Sequence, residues 1–425
     1  MPLKILMMTN TYLPHVGGVA RSVHSFAEAL RYRGHRVKIV APTFKGMPRH
    51  EVHVLRVPAI QKFNGSDFSV RLPVPGLLTW AVESFKPDIV HAHHPFLLGD
   101  TALRLARWHN LPLVFTHHTM YEQYTHYVPG DSTAMRQFAI RLASDFCNLC
   151  DHVIAPSDSI RDLLRQRRVT TPITTIPTGI DPRVFGAGDG HAARQRHQIP
   201  TDAFVLGHVG RLAPEKNLAL LARATAAVAR HHPHVHMLIV GAGPSEPDIR
   251  QAFAAAGVPD QLHLTGPLKG QPLVDAYHAM DLFAFASLSE TQGMVLAEAM
   301  TAGIPVVAVD APGVREVVVD GQTGTLLPTA DETALTQALQ NIVQMPADAR
   351  RQLAAGAKQR AEAFSLDSST QRLIETYERI TEAGLIADRP DDNAWTRTLR
   401  MIETEWNLWN QRTEAAWNSL REGGP

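Results

Sequence analysis

The first half of the chain alternates short apolar runs with longer stretches of helical periodicity. The apolar runs show no polar alternation, which is typical of strands buried on both faces of a parallel sheet. After the first run, apolar residues recur at helical spacing from Val19 to Leu30 and predict an amphipathic helix. The predicted strands are Ile5–Met8, Val37–Val40, Ile89–His91, Leu113–Phe115 and Val153–Ala155. This order predicts βαβ units around a parallel sheet.

The alternation pauses and then begins again in the second half. A stretch rich in Gly, Ala, Arg and His, from about Pro182 to Asp202, is interpreted as a linker. Further strands are predicted at Phe204–Val209, His236–Val240, Leu262–Leu264, Leu282–Phe285 and Val306–Val309. The sequence therefore predicts an α/β protein with two Rossmann-like domains. Because ligands bind at the carboxyl ends of parallel strands, we expect the domains to face each other across a substrate cleft.

The domain boundaries follow from these patterns. We expect an N-terminal acceptor domain over residues 1–183, a linker over 184–203, a C-terminal donor domain over 204–365, and a helix over 366–388 that crosses back to the first domain. Residues 389–425 form a tail with a narrow apolar seam at helical spacing, made of Trp395, Leu399, Ile402, Trp406 and Trp409. This amphipathic helix fits contact with the protein's own surface, with a second copy in a homodimer, or with a membrane.

The composition is that of a soluble globular protein, with 44% hydrophobic and 19% charged residues among 425. No run of 18 or more apolar residues predicts a membrane-spanning helix. The first residues do not resemble a signal peptide, so we expect a cytoplasmic protein. Cys147 and Cys150 form a lone C-x-x-C. We interpret them as small apolar residues on adjacent helical turns rather than a metal or redox site.

The net charge is zero but unevenly distributed. Up to Arg183 the chain carries 21 Lys and Arg against 13 Asp and Glu, a net charge of +8, and the remainder carries −8. A basic first domain favours an anionic partner or surface. Part of this charge lies in one short segment that also fits a solvated helix face: Arg161, Arg165, Arg167 and Arg168.

Two patterns suit phosphate binding. Gly17 and Gly18 lie between the first strand and the first helix, where glycine lets the backbone approach a phosphate and the helix N-terminus offers amide donors. The full G-x-G-x-x-G pattern is absent, so hydride transfer is not indicated. In the second domain, the segment GRLAPEKN places Arg211 and Lys216 five residues apart at a helix start. They would stabilise a leaving diphosphate without a metal, or else are surface charges.

The motif SETQGMVLAEAM contains two carboxylates, Glu290 in a strand-to-helix loop and Glu298 two turns later. Between them, Gly293, Met294 and Val295 would offer first-turn N–H groups to an anion or a sugar oxygen. Carboxylates accept hydrogen bonds from hydroxyl groups, so the set suits a sugar nucleotide. Paired carboxylates also serve glycosidases, but the neighbouring phosphate-binding patterns argue against that reaction.

This motif resembles the E-x7-E signature of retaining glycosyltransferases of the GT-B fold, and the resemblance runs from residue 3 to about 385. It implies a nucleoside-diphosphate sugar as co-substrate, usually UDP-linked, with no other cofactor and no metal. It also implies that Glu290 holds donor-sugar hydroxyls, that Glu298 holds the ribose, and that Arg211 and Lys216 bind the pyrophosphate. Leu268 would meet the base through its backbone.

The resemblance extends to His118, which matches the family histidine that contacts the donor sugar. Gln292 stands where many relatives carry phenylalanine, a difference relevant to which sugar is held. The other clustered histidines are interpreted as lining at strand ends, because no Asp/Glu–His spacing supports a metal site: His91, His93, His94 and His117.

The run from His118 to Pro129 resembles bacterial diacylglycerol glucosyltransferases, which are monotopic enzymes. The resemblance implies glucose transfer from UDP-glucose to a membrane glycerolipid, by a protein peripheral on the inner face of the cell membrane. The basic first domain would dock on anionic lipid, and Phe68–Phe85 would be the insertion patch unless it is an ordinary core helix. No nucleic acid partner is expected. The alternatives are a soluble or phosphorylated sugar or inositol acceptor, and a non-catalytic sugar-nucleotide-binding protein.

Overall fold

The chain folds into two Rossmann-like α/β units. The computed structural model describes residues 1–15, 17–60, 70–71, 83–123 and 132–386. One unit comprises Met1–Gly179 together with the chain from Ser369 onward, and the other comprises Ile180–Ser368.

The first unit is built on a seven-stranded parallel sheet. Its strands are Lys4–Met8 (β1), Arg36–Pro42 (β2), Val54–Val57 (β3), Ile89–Ala92 (β6), Leu113–Thr116 (β7), His152–Ala155 (β8) and Ile173–Thr175 (β9), and Ala59–Ile60 (β4) and Val70–Arg71 (β5) pair separately. The spatial order is β3-β2-β1-β6-β7-β8-β9. Every residue of β6, β7 and β8 is buried, which explains why their sequences lack polar alternation.

Helices of this unit follow its strands. They are Gly18–Tyr32 (α1), Leu98–Trp108 (α2), Thr133–Leu149 (α3) and Asp158–Gln166 (α4). In α1 the apolar face predicted from the sequence is buried except for the partly exposed Val19, with Val23 and Leu30 inaccessible to solvent. The helix ends where Gly34 adopts a left-handed conformation (φ 88°) and His35 N donates to Leu30 O at 3.0 Å.

The second unit contains a six-stranded parallel sheet. Its strands are Phe204–Val209 (β10), Val235–Val240 (β11), Leu262–Leu264 (β12), Leu282–Phe285 (β13), Val306–Val309 (β14) and Gly324–Leu327 (β15). The spatial order is β12-β11-β10-β13-β14-β15. Alternate residues of β13 belong to different apolar clusters, Phe283 to one and Leu282 to the other, because the sheet has a core on both faces.

Eight helices of the second unit lie among the described residues. They are Pro182–Phe185 (α5), Gly190–Arg196 (α6), Leu218–His231 (α7), Glu246–Ala255 (α8), Gln271–His278 (α9), Met294–Thr301 (α10), Glu332–Val343 (α11) and Ala347–Ala361 (α12). The stretch 184–203, which we expected to be a linker, therefore contains helical residues and belongs to this unit. Asp189 caps α6 by accepting from Ala192 N at 2.8 Å, and Ala193 is buried in the core.

A last described helix, Leu366–Ile386 (α13), starts in the second unit and belongs to the first unit from Ser369 onward. Tyr377 on this helix is fully buried, and its hydroxyl lies 2.6 Å from His91 Nδ1 on β6. The helix is thereby tied to the sheet of the first unit.

Further expectations concern the two cysteines and the absence of a membrane-spanning helix. Both cysteines are buried free thiols, but only Cys147 lies in α3, and Cys150 follows its end instead of lying on the next helical turn. None of the described helices is long and apolar enough to cross a bilayer. The tail over 389–425, most of the proposed insertion patch Phe68–Phe85 and the later part of the His118–Pro129 run lie outside the described residues.

Candidate active site

The predicted donor-site residues lie at the carboxyl edge of the second sheet. Strand β10 is followed in the chain by its neighbour β11 on one side and borders β13 on the other. This reversal of strand order is the position where open α/β sheets bind ligands. The loop after β10 carries Arg211 and Lys216, and the loop after β13 carries Glu290.

The loop after β10 is held close to the loop after β11. Gly210 N donates to Val240 O and Leu212 N donates to Ala242 O, both at 3.0 Å. A Cβ atom on Gly241 would lie 1.8 Å from Gly210 O, so only glycine permits this approach. The segment then forms a 3₁₀ turn over Pro214–Lys216 and enters α7.

Lys216 and Glu290 form an ion pair that joins the two loops. Both side chains are largely buried, with 17% and 16% of their surfaces exposed. Burial of the Glu290 carboxyl group favours its neutral form, but the Lys216 ammonium and hydrogen bonds from Lys216 and Ser287 outweigh this effect and lower its pKa. The Glu290 carboxyl group is therefore ionised at neutral pH.

Arg211 pairs with a different carboxylate, that of Glu215. The side chain of Glu215 is almost fully buried, whereas that of Arg211 is 41% exposed. The backbone carbonyl of Glu215 also accepts a hydrogen bond from Ser289 Oγ at 3.4 Å, which adds a second link between the two loops. Our sequence analysis missed Glu215, because the segment from Arg211 to Glu215 is not α-helical and the spacing of four residues therefore gave no signal for this pair.

Glu298 lies on α10, which begins after Gly293. Gly293 adopts a left-handed conformation (φ 70°), and the first-turn amides of Met294 and Val295 have no acceptor inside the helix. The Glu298 side chain is fully buried and accepts a hydrogen bond from the Tyr277 hydroxyl at 2.7 Å. Tyr277, on α9, is a further residue that the sequence did not indicate.

Leu268 and His208 complete this edge of the sheet. Leu268 follows β12, is partly buried against the core, and comes two residues after Gly266, whose carbonyl accepts from Gly241 N at 3.0 Å. His208 lies on β10, fully buried, with Nδ1 3.2 Å from Ala284 O and no hydrogen-bond partner for Nε2. Burial lowers the pKa of His208 to about 4, so it is neutral at neutral pH.

The remaining predicted residues belong to the first unit. Gly17 is the N-cap of α1 and Gly18 its first residue, with no side-chain cap for the helix amides. His118 follows β7, and its Nε2 lies 3.0 Å from Nδ1 of His93, which follows β6. Burial and the neighbouring histidines hold the pKa of both imidazoles well below the usual value.

Other histidines of this cluster have structural partners. His91 lies between the Tyr377 hydroxyl at 2.6 Å and Thr116 Oγ1 at 2.7 Å. His94 Nδ1 accepts from Asn10 N at 3.1 Å. Within the described residues, no group of three or more His, Cys, Asp or Glu side chains is arranged to hold a metal ion.

Two glycosyltransferase family models match most of the chain. Residues 16–184 match the family model described as Glycosyltransferase Family 4, and residues 190–360 match that described as Glycosyl transferases group 1. A GDP-mannose-dependent alpha-mannosyltransferase of Mycobacterium tuberculosis is 30% identical over 80% of this chain and 88% of its own. The chain belongs to this glycosyltransferase family.

Other relatives of the glycosyltransferase differ in their named substrates. The alpha-monoglucosyldiacylglycerol synthase of Streptococcus pneumoniae is 29% identical over 76% of this chain and 75% of its own. A D-inositol 3-phosphate glycosyltransferase of Stackebrandtia nassauensis is 31% identical over 68% of each chain. The family is thus established, whereas donor sugar and acceptor vary within it.

Solved structures show the fold of the glycosyltransferase. Sucrose-phosphate synthase from Thermosynechococcus elongatus matches with a TM-score of 0.74 at 22% identity, over 90% of this chain and all of the other. Anabaena Alr3699/HepE, solved in complex with UDP and glucose, matches with a TM-score of 0.71 at 23% identity, over 89% and 100%. The chain therefore has the GT-B fold, as the sequence predicted.

Proposed function

We propose that this glycosyltransferase transfers glucose from UDP-glucose to a hydroxyl group of a membrane glycerolipid such as diacylglycerol, with retention of anomeric configuration. The observation that carries the proposal is the Lys216–Glu290 pair at the reversal of strand order in the second sheet. An ammonium group binds a diphosphate, and a carboxylate accepts hydrogen bonds from sugar hydroxyls. The pair thus matches the two parts of the donor that flank the reacting bond.

Donor binding would exchange the partners of both cations. The diphosphate would replace Glu290 beside Lys216 and Glu215 beside Arg211, and the Glu290 carboxylate would then accept from the donor-sugar hydroxyls. Negative charge grows on the diphosphate oxygen as its bond to the anomeric carbon breaks. Two fixed cations, one of them the largely buried Lys216, stabilise that charge more than water does.

The transfer step needs no protein nucleophile. The acceptor oxygen attacks the anomeric carbon from the face that the diphosphate leaves. The new carbon–oxygen bond forms as the bond to the diphosphate oxygen breaks, and the acceptor proton moves to the leaving phosphate. We propose that no metal is required, because Arg211 and Lys216 supply the positive charge and the sequence has no D-x-D motif.

The nucleoside would lie along the same edge of the sheet. Glu298 is proposed to hold the ribose and the backbone near Leu268 to meet the base. Because Glu298 is fully buried, a ribose contact requires some of the atoms that cover its carboxylate to move. The first-turn amides of Gly293, Met294 and Val295 are proposed to bind the donor. His118 and the Gly17-Gly18 loop of the first unit are proposed as further substrate contacts.

The acceptor proposal rests on charge and on named relatives. The residues up to Arg183 carry a net charge of +8, which favours an anionic membrane surface. The name of the Streptococcus pneumoniae relative specifies a glucosylated diacylglycerol. We therefore propose a peripheral enzyme at the inner face of the cell membrane.

A second candidate has a soluble phosphorylated acceptor. A relative that covers 68% of this chain is named for D-inositol 3-phosphate, and a basic first domain would also attract such an anion. The mannosyltransferase relative leaves GDP-mannose as an alternative donor. The experiment incubates the purified enzyme with UDP-glucose or GDP-mannose and either diacylglycerol vesicles or inositol phosphate, and identifies products by mass spectrometry.

The outcomes separate the candidates. A hexosyl-diacylglycerol from UDP-glucose, with an α-linkage by NMR, supports the proposal. Formation of a hexosyl-inositol phosphate instead would identify the acceptor as the phosphorylated inositol and not the lipid. A product formed only from GDP-mannose would identify the donor as GDP-mannose and not UDP-glucose. A non-catalytic sugar-nucleotide sensor would bind UDP-glucose but give no product and no slow donor hydrolysis.

A further inference from the structure

His93 and His118 follow two neighbouring strands of the first sheet, and His118 is the residue predicted to contact the donor sugar. His93 directly follows β6, and its backbone N–H donates to Met8 O on β1 at 2.9 Å. His118 follows β7. His93 Nδ1 lies 3.0 Å from His118 Nε2, and the ring centroids are 5.2 Å apart with the planes inclined at 26°, so the rings lie side by side as an in-plane hydrogen bond requires. His93 is 1% exposed, whereas His118 is only partly buried.

The His93 ring also contacts a second histidine, His91, on the same strand end. Its ring lies 4.1 Å, centroid to centroid, from that of His91. His91 is fixed on both nitrogens, by the Tyr377 hydroxyl at 2.6 Å and by Thr116 Oγ1 at 2.7 Å. A chain of contacts therefore runs from α13 through His91 and His93 to His118.

The hydrogen bond between the two imidazoles selects one tautomer. Both rings are neutral, since burial and the neighbouring histidines disfavour their charged forms. One nitrogen must donate and the other accept. Nε2 of His93 is buried without a partner. If it carried the proton, it would be a buried orphan N–H, which is rarer in proteins than an unpaired acceptor. The favoured arrangement has His93 Nδ1–H donating to His118 Nε2.

We propose that His93 is a positioning residue for His118, fixing its ring and its proton on Nδ1, where it can donate to an oxygen of the donor sugar. This role rests on the proposed function, because it assigns the sugar contact to His118. His93 does not itself touch the substrate. It excludes the tautomer and the ring orientations in which His118 would direct an unprotonated nitrogen toward the donor sugar.

The test compares two amide substitutions. In His93→Asn the side-chain amide nitrogen replaces Nδ1 and can still donate to His118. In His93→Gln the amide nitrogen replaces Nε2, and the donor at Nδ1 is lost. Glutamine is closer to histidine in volume, so a role in packing alone predicts that His93→Gln is the milder variant. Positioning predicts the opposite order.

We expect His93→Gln to lower kcat with UDP-glucose roughly tenfold while KM for the donor changes little, and His93→Asn to retain most of the activity. In a double-mutant cycle, His93→Gln should have little further effect once His118→Ala is present, because the two residues act as a unit. Thermal unfolding of each variant shows how much of any loss reflects stability.

Three results would overturn the inference. They are equal activity of wild type and His93→Gln, a larger loss in His93→Asn than in His93→Gln, and fully additive losses in the cycle with His118→Ala. A wild-type enzyme that transfers no sugar from any nucleotide donor would instead refute the proposed function. In that case the tautomer of His118 in wild type and His93→Gln, read from ¹⁵N chemical shifts, still tests the pairing.

Discussion

Lys216 and Glu290 form an ion pair although 74 positions separate them in the chain. Each residue lies in a loop that leaves the carboxyl end of a strand, and the two strands, β10 and β13, are neighbours where the strand order reverses. The pair thus joins the cation proposed for the diphosphate to the carboxylate proposed for the sugar. Loss of either partner leaves a largely buried charge without its counterpart.

The first prediction concerns this pair. Lys216→Ala and Glu290→Ala should each lower kcat by about 100-fold or more, because each removes a preorganised electrostatic contact. The measurement is steady-state transfer from UDP-glucose. Arg223→Ala is the matched control, since Arg223 forms an ion pair with Glu332 in the same unit but on the surface. Near-normal turnover in Lys216→Ala would remove the basis of the donor-site assignment.

The second prediction concerns Glu298. Glu298→Ala should mainly weaken nucleotide binding and change kcat less, because a ribose contact alters little between ground and transition states. It also leaves the buried Tyr277 hydroxyl without its acceptor, at a cost of about 1–3 kcal/mol in unfolding free energy. Tyr277→Phe removes the same hydrogen bond but keeps the carboxylate. Calorimetric titration with UDP should therefore show a larger loss of affinity in Glu298→Ala than in Tyr277→Phe, and equal losses would argue against a ribose contact.

The third prediction is that acid destabilises the first unit. Burial lowers the pKa of His91 and His94 to about 3 and that of His117 to about 4. An unfolded chain protonates histidine near pH 6.5. Below that pH the unfolded state binds protons that the folded state does not, so stability is full above about pH 6.5 and falls as the pH drops toward 4. Each such histidine removes up to about 1.4 kcal/mol per pH unit.

The melting temperature should therefore fall steeply between pH 6.5 and 4.5. His117→Phe removes one of these groups. The slope of the unfolding free energy against pH should then decrease by up to about 1.4 kcal/mol per pH unit, which corresponds to one proton. His231→Gln is the matched control, because His231 is exposed. Identical slopes in wild type and His117→Phe would show that His117 is not the buried neutral group described above.

Much of the fold was predictable because buried parallel strands have an unmistakable pattern. All ten predicted strands are present, with boundaries shifted by a few residues at most. Strands β3, β9 and β15 of the two sheets were missed, since each has only three or four residues and is only partly buried, and the two-residue strands β4 and β5 were missed as well. The 184–203 stretch looked like a linker from its composition, yet Asp189 caps a helix that starts at Gly190 within it.

The site was predictable only in part. The motifs named Lys216 and Glu290 as candidate site residues, but their direct pairing depends on the strand order, which the sequence does not state. Tyr277 and His93 contact predicted residues from other elements of the fold, and neither belongs to a motif. Such partners depend on tertiary packing, so periodicity and spacing cannot identify them.

The fourth prediction is that transfer does not depend on a divalent cation. Arg211 and Lys216 are proposed to take the charge-stabilising role that a metal ion plays elsewhere. Activity with UDP-glucose should be unchanged by excess EDTA. Loss of activity in EDTA that is restored by magnesium or manganese would contradict the proposal. Restoration by zinc would contradict it as well and would identify zinc as the required metal.

The last prediction concerns the membrane. The basic half of the chain should bind acidic headgroups, at about 1 kcal/mol for each basic residue near the surface. Arg161 and Arg165 on α4 belong to this half. Co-sedimentation with liposomes should increase with the fraction of anionic lipid. It should decrease with added salt, because charges are screened over about 8–10 Å at 0.1–0.15 M.

Charge reversal separates membrane docking from attraction of a soluble phosphorylated acceptor. Arg161→Glu with Arg165→Glu should weaken binding to anionic vesicles and slow glucosylation of diacylglycerol in vesicles, with little effect on diacylglycerol in neutral detergent micelles. The matched control is Arg250→Glu, an exposed arginine of the acidic half. A surface role predicts that only the vesicle assay responds, since the donor site is untouched. If the wild-type protein ignores anionic liposomes at low salt and diacylglycerol gives no product, the acceptor is not a membrane lipid, and the phosphorylated acceptor takes its place.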